Sequence, residues 1–187
     1  MSIYFKAVGF FIWEIVKVAL VSLAIILPIR YFLVQPFYVK GASMEPNFYD
    51  HDYLLIDELS YRFRSPARGE VLVIRYPRDP SQFFIKRLVG LPGERVLLRD
   101  GRVLIGRGQI EPSQLAESYL GEWVRTRGEV DVTLGPDQYY VLGDNRASSL
   151  DSRSFGAITK REIVGRTWLR AWPFERWLVF SSAPSSP

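Results

Sequence analysis

Apolar side chains dominate the chain from Ala7 to Ile29, most densely over Val18-Ala19-Leu20-Val21-Ser22-Leu23-Ala24-Ile25-Ile26-Leu27. At a helical rise of about 1.5 Å per residue, such a stretch is long enough to cross a bilayer. Its two charges, Glu14 and Lys17, are three residues apart, share a helix face and can pair. A cleavable leader would need small residues at −3 and −1 after the apolar run. Pro28-Ile29-Arg30-Tyr31-Phe32 offers none, and Ala42 as the −1 residue would put Lys40 at −3. A buried core helix would leave Leu27-Pro28-Ile29 and Tyr31 to Val34 too apolar for a soluble start. The pattern predicts an uncleaved membrane anchor. Charge does not orient it, because Lys6 precedes the span while Arg30 and Lys40 follow it.

After Pro36 the pattern changes to short β-like runs punctuated by Gly, Pro, Asp and Asn. The predicted strands are Tyr53 to Ile56, Val71 to Tyr76, Gln82 to Val89, Arg95 to Leu98, Val103 to Ile105, Trp123 to Arg125, Val130 to Leu134, Tyr139 to Leu142 and Ile163 to Leu169. Arg99-Asp100-Gly101-Arg102 predicts a tight hairpin, since Asp-Gly accepts the positive φ of a type I′ turn. Glu111 to Leu120 predicts a short helix with Pro112 near its start. The aromatic segment Arg170 to Phe180 is too short to span a membrane. It is read as a core strand ahead of an interfacial contact. Tyr31 to Tyr38 suits a headgroup interface or packing in the β domain equally. The resulting architecture is mainly β: an antiparallel sheet domain over 31–180, preceded by one N-terminal transmembrane helix in 1–30. The Ser- and Pro-rich end, 181–187, reads as a disordered tail.

Composition narrows the chemistry. An apolar fraction of 48% in 187 residues suits one domain with a real core plus an anchor. The formal charge of +4 comes without a basic run or recognition motif, so nucleic acid is not an expected partner. With no cysteine there are no disulfides, thiolate nucleophiles or Cys-based zinc sites. His51, the single histidine, lies in the polar turn Tyr49-Asp50-His51-Asp52 and reads as an exposed turn residue. A His-rich metal site is impossible, and neither metal nor cofactor is expected.

Two segments remain that carry chemistry. Gly41-Ala42-Ser43-Met44-Glu45-Pro46 places a serine on a turn constrained by glycine and proline. Phe84-Ile85-Lys86-Arg87-Leu88-Val89-Gly90-Leu91-Pro92-Gly93 places a lysine inside an apolar strand. A serine hydroxyl needs a base to become a nucleophile. A lysine serves only when neutral, which burial favours by lowering its pKa by up to roughly 3–5 units. On a strand Phe84, Lys86 and Leu88 share a face and Arg87 points away. Arg87 is no base, because its pKa exceeds about 12. Taken singly, Ser43 is an ordinary loop serine and Lys86 a snorkelling strand residue.

The surrounding strings lift the pair. Ser43-Met44-x-Pro46, then Lys86-Arg87-x-x-Gly90-x-Pro92-Gly93, then Gly143-Asp144-Asn145-Arg146-Ala147-Ser148-Ser149-Leu150-Asp151-Ser152-Arg153, resemble the blocks of bacterial type I signal peptidase, the Ser/Lys-dyad leader peptidases. Arg68 to Val73 resembles the strand between the first two blocks, with Glu70 where Asp is usual. The resemblance covers Tyr31 to about Gly156. It implies Ser43 as nucleophile and Lys86 as general base. Ser149 would orient the lysine amine, Asp151 and Arg153 would form an ion pair, and Asp144 and Arg146 another. Met44 and Ile85 are the nearest candidates for substrate contact, with Phe37 and Tyr53 close by. Gly41 stands where some members carry a serine, so oxyanion donation is expected from backbone alone. The span from Arg95 to Gln138 is short, so the large extra β domain of some members is expected to be reduced or absent.

The same resemblance implies a serine endopeptidase of the bacterial cytoplasmic membrane. It would be single-pass, with its catalytic domain extracytoplasmic, and would remove signal peptides from exported preproteins. Its partners would be those signal peptides, the lipid bilayer and possible export machinery. Two other readings share these residues. An inactive anchored β scaffold has no need of Ser43, Lys86 and Ser149 together. A self-cleaving Ser/Lys repressor would carry a DNA-binding helical domain where this chain carries an apolar stretch.

Overall fold

The computed structural model describes residues 2–32 and 34–180. A long helix, α1, runs from Ser2 to Phe32. Lys17 Nζ donates to Glu14 Oε1 at 2.7 Å, the pair that their spacing predicts. Phe10, Phe11, Trp13, Leu20 and Leu23 on α1 are all more than half exposed. The unbroken run of described side chains on α1 extends from Val8 to Ala24, and among the described residues no helix is long and apolar enough to cross a membrane.

The rest is antiparallel β. The first strands are β1 (Val34–Tyr38), β2 (Tyr53–Asp57), β3 (Val71–Tyr76) and β4 (Asp79–Gly90). The middle of the chain forms β5 (Glu94–Arg99), β6 (Arg102–Arg107), β7 (Ile110–Gln114) and β8 (Val130–Thr133). The last are β9 (Gln138–Leu142), β10 (Ile158–Thr159), β11 (Ile163–Trp172) and β12 (Leu178–Val179). One sheet has the order β1-β2-β11-β3-β4-β9-β10, with β12 added to β11. A second, four-stranded sheet has the order β7-β6-β5-β8. Of the segment 31–38, left between interface and domain by sequence alone, residues 34–38 form β1, which pairs with β2 in register Phe37 opposite Leu54.

Three buried clusters hold the domain. Phe48, Leu54, Ile56 and Val73 form one, and Leu72, Ile74, Leu88 and Val141 a second. The third, Val89, Val96, Leu98, Tyr140 and Leu142, joins the two sheets. β3 and β4 sit at the centre of the large sheet, covered on both faces, which is why Leu72, Ile74, Leu88 and Val89 are fully buried.

Several elements differ from the sequence reading. The predicted helix over Glu111 to Leu120 does not form: its first residues belong to strand β7, at the edge of the small sheet, where a proline costs no ladder bond, and 115–120 is irregular. Trp123 to Arg125 is not a strand: it lies in the irregular segment 115–129. Of the Arg170–Phe180 segment only the ends reach the core, Arg170 buried and Phe180 stacked on Phe48. Trp172, Phe174 and Trp177 are 48%, 70% and 57% exposed, because β11 leaves the sheet at Trp172. The expected hairpin is present, with Arg99 opposite Arg102 and φ of 53° and 74° at Asp100 and Gly101. The extra β region is the small sheet alone. The proposed tail, 181–187, lies outside the described residues.

Candidate active site

Ser43 stands on a turn between β1 and β2, and hydrogen bonds from three directions fix that turn. Val39 N–H donates to Asp52 O at 2.9 Å and His51 N–H to Val39 O at 3.0 Å. Gly41 N–H donates to Asp50 Oδ1 at 2.8 Å. From the far end of the chain, Asn145 N–H donates to Ser43 O and Asn145 Nδ2 to Ala42 O, both at 3.0 Å. Gly143 lets that segment approach: a Cβ there would lie 2.5 Å from Ser43 O and 2.1 Å from Ser149 Oγ. Among the described residues the N–H of Ser43 has no acceptor, so a backbone donor stands free beside Oγ.

Lys86 reaches this turn from the middle of β4. Its Nζ lies 2.7 Å from Ser43 Oγ and 2.8 Å from Ile85 O, and 5.3 Å from the centre of the Phe84 ring. The residue is 3% exposed. Burial is the main influence on the amine and disfavours its charged form. The fields of Asp151 and Asp144 act the other way but more weakly, leaving the pKa at about 8 instead of 10.5. A neutral amine at hydrogen-bond distance from a hydroxyl can take its proton.

The two carboxylates near the amine are held by arginines. Arg153 Nη2 donates to Asp151 Oδ2 at 2.8 Å, the pair expected from sequence. Burial opposes ionisation of Asp151, but hydrogen bonds from Arg153 and from Gly143 N–H outweigh it and keep the carboxyl below its ordinary range. Asp144 and Arg146 do not pair through their side chains, contrary to expectation. Asp144 takes Arg87, whose Nε and Nη2 donate at 2.8 and 2.6 Å. Arg146 pairs with Glu117. The reason is alternation on β4: with Lys86 turned to Ser43, Arg87 points to the opposite face, where Asp144 arrives from the end of β9.

Ser149 also departs from its expected role. Lys86 Nζ is hydrogen-bonded to Ser43 and Ile85, and Ser149 Oγ is buried with no hydrogen bond of normal geometry. Its hydroxyl is packed on Gly143, on the Asp151 side, where it adds to the lowering of that carboxyl's pKa. Met44 is not a substrate contact. It is 1% exposed beneath the turn, where its Sδ accepts the N–H of Asp144 at 3.4 Å. Ile85 does line the open cleft of about 510 Å³ that leads to Ser43 and Lys86, with Phe37, Val39, Leu54 and Phe83. Tyr53 lies outside it, edge-on to Tyr38. Among the described residues no group of His, Cys, Asp or Glu side chains could hold a metal ion.

Comparison with known proteins shows the family. The family described as signal peptidase, peptidase S26, matches residues 12–172. A probable signal peptidase I-2 of Synechocystis is 35% identical over 169 residues, covering 87% of this chain and 74% of its own. Signal peptidase I of Leptolyngbya laminosa is 34% identical over 184 residues, covering 92% and 85%. The chain belongs to the type I signal peptidases. It is thereby a serine endopeptidase, and the processing of signal peptides is its family's activity. A crystal structure of a signal peptidase I from Enterococcus faecalis covers 55% of this chain and 97% of its own, at 29% identity and a TM-score of 0.46.

Sequence reasoning about this signal peptidase missed three residues of the site. Asn145, which grips the Ser43 turn, sits inside a string already singled out. Arg87 was visible as the neighbour that faces away. Glu117 had no local signal, because its partner Arg146 lies in a separate segment of the chain.

The depressed pKa makes a prediction about stability. The unfolded chain binds more protons than the folded one between pH 8 and 10.5, so the contribution of Lys86 to stability rises with pH across that window. Below pH 8 the buried ammonium costs about 3 kcal/mol. Lys86→Met is therefore expected to be more stable than wild type by an amount of that order at pH 6, the gain fading between pH 8 and 10.5 and absent above it. Denaturant melts at the two pH values check this. A variant equally destabilised at both would show that Lys86 is not buried against its charge.

Proposed function

We propose that this chain cleaves signal peptides from exported preproteins with Ser43 as nucleophile and Lys86 as general base. The observation that carries the reading is the 2.7 Å approach of a buried, depressed-pKa amine to a serine on a fixed turn. Lys86 takes the proton as Ser43 Oγ attacks the carbonyl carbon of the −1 residue, and hands it to the leaving amine of the +1 residue. Water activated by the same amine then releases the acyl-enzyme. The free N–H of Ser43 is positioned to donate to the oxyanion. The apolar cleft beside Ile85 and Phe37 suits the small side chains that the family takes at −1 and −3. Ser149, Asp144, Arg146, Asp151 and Arg153 are supporting residues: Arg153 occupies Asp151 as Arg87 occupies Asp144, Arg146 ties the last block to Glu117, and Ser149 packs on Gly143.

We further infer that the segment 1–30 anchors the peptidase domain, 31–180, to the cytoplasmic membrane, with the domain on the outer side. Two features support this. α1 is 31 residues long, about 46 Å at the rise of a helix. Among the described residues its apolar side chains from Val8 to Leu23 are exposed on all sides.

Two outcomes are expected. In detergent, wild type cuts a preprotein carrying Ala-x-Ala at its signal junction after the second Ala. Ser43→Ala and Lys86→Ala, folded by circular dichroism, lose about 10³-fold or more in kcat/KM. Variants as active as wild type would remove both assignments. In membranes, the full chain stays bound through a high-salt wash and a chain starting after Phe32 is released. Release of the full chain by salt alone would sink the anchor.

A further inference from the structure

A second cleft opens on the other side of Ser43. Its volume is about 500 Å³, and Glu45, Pro46, Trp123, Arg125, Arg127 and Ala147 stand on its walls. The apolar cleft is walled by residues that precede Ser43, namely 37–40, together with β4. This one begins with residues C-terminal to Ser43, and Asn145, which grips Ala42 O and Ser43 O, lies on its floor. Asn145 thus links this cleft directly to the backbone of the Ser43 turn.

The outer wall is the segment 115–129 between β7 and β8, longer than ordinary connections and without regular structure, a class of loop that usually serves a function. It is tied to the site at five points, one of them Arg153 Nη1 donating to Arg127 O at 3.2 Å. Asn47 Nδ2 donates to Tyr119 O at 2.8 Å. Arg146 pairs with Glu117 and donates to Thr126 Oγ1. The Arg87 guanidinium carbon lies 4.0 Å from the centre of the Tyr119 ring. On this braced loop Trp123 is 83% exposed, its ring lying over Gly121, where a Cβ would come within 2.6 Å of it. An indole held open to water at the rim of a cleft is a surface for a ligand chain to lie against.

The charge of the cleft is also uneven. Asp144 and Arg146 at its base are neutralised by Arg87 and Glu117. The Arg127 guanidinium has no acceptor among the described residues, and Arg125 donates only from Nη1, to the carbonyls of Glu122 and Val124. Glu45 is the one carboxylate on the walls that opposes them. Two uncompensated guanidiniums against one carboxylate leave the cleft positive.

We propose that this cleft binds the first residues of the mature chain, on the leaving-group side of the cut bond, and that Arg125 and Arg127 favour a carboxylate there. The proposal rests on the role of Ser43 given above and extends it from the signal peptide to the start of the mature protein. Trp123 covers the bound backbone, and the two arginines read its side chains.

The test uses three peptides identical through Ala-x-Ala and different only at the second and third residues after the cut: Glu-Glu, Gln-Gln and Lys-Lys. kcat/KM is measured in detergent at low ionic strength for wild type and the double variant Arg125→Glu/Arg127→Glu. Wild type is expected to prefer Glu-Glu over Lys-Lys by about 5-fold, the size of two exposed charge contacts. The double variant inverts that preference, and about 0.5 M salt brings the wild-type ratio toward one. The ratio is internal to each protein, so a partial loss of folding cancels. Trp123→Ala is expected to raise KM for the Gln-Gln peptide more than it lowers kcat. Equal rates on all three peptides by wild type, or the same ratio in both proteins, would overturn the cleft's role while leaving the Ser43–Lys86 reading intact. Failure of wild type on all three would overturn that reading and this inference with it.

Discussion

An ammonium buried at 3% exposure among Phe84, Ile85 and the Ser43 turn has two ways to be tolerated: it pairs with a carboxylate, or it gives up its proton. Much of the site follows from which way is open. Asp144 and Asp151 are close enough to raise the pKa of Lys86, and either one free beside it would hold it as a cation. Each is instead engaged by an arginine, Asp144 by Arg87 and Asp151 by Arg153. Desolvation therefore outweighs attraction, and the amine is left as a base poised near neutral pH, which is what a serine nucleophile requires.

That balance depends on topology. Lys86 and Arg87 are neighbours on β4 and face opposite ways, so one strand supplies both the base and the guanidinium that draws off a competing carboxylate. Asp144, Asn145 and Asp151 come from the segment after β9, which pairs with β4 in the register Arg87 opposite Leu142. A slip of one residue would exchange the two faces and put an arginine against Ser43. The turn is held equally firmly from below, where Arg170 Nη1 donates to Asn47 O at 2.9 Å and to Asp52 Oδ2 at 3.2 Å.

The large sheet was legible because its strands alternate or are fully apolar and end at Gly, Pro or Asp. The Asp100-Gly101 hairpin was legible because its turn chemistry is local. The misread elements have a common cause. Glu111 to Leu120 is polar enough to look helical, but an edge strand needs little apolar pattern once Val103 to Ile105 offer a free ladder. Trp172, Phe174 and Trp177 looked like core because aromatics usually are, and only the end of β11 decides that they face outward. Within the site, Ser43 and Lys86 were readable from their strings. The partner choices of Asp144 and Arg146 were not, because an arginine's reach across the fold leaves no trace in spacing. Met44 was misplaced for the same reason: adjacency to Ser43 in the chain says nothing about which side of the turn a side chain takes.

The account stands on the protonation state of one amine, and that is directly measurable. With lysines labelled at Cε, the carbon shifts of the Ser43→Ala protein in detergent are followed from pH 6 to 11. One resonance, absent from the spectrum of Lys86→Met, is expected to titrate near 8, well below the ordinary lysine value of 10.5. If the resonance assigned to Lys86 titrates at the ordinary lysine value of 10.5, burial does not free the amine, and Lys86 is not the base.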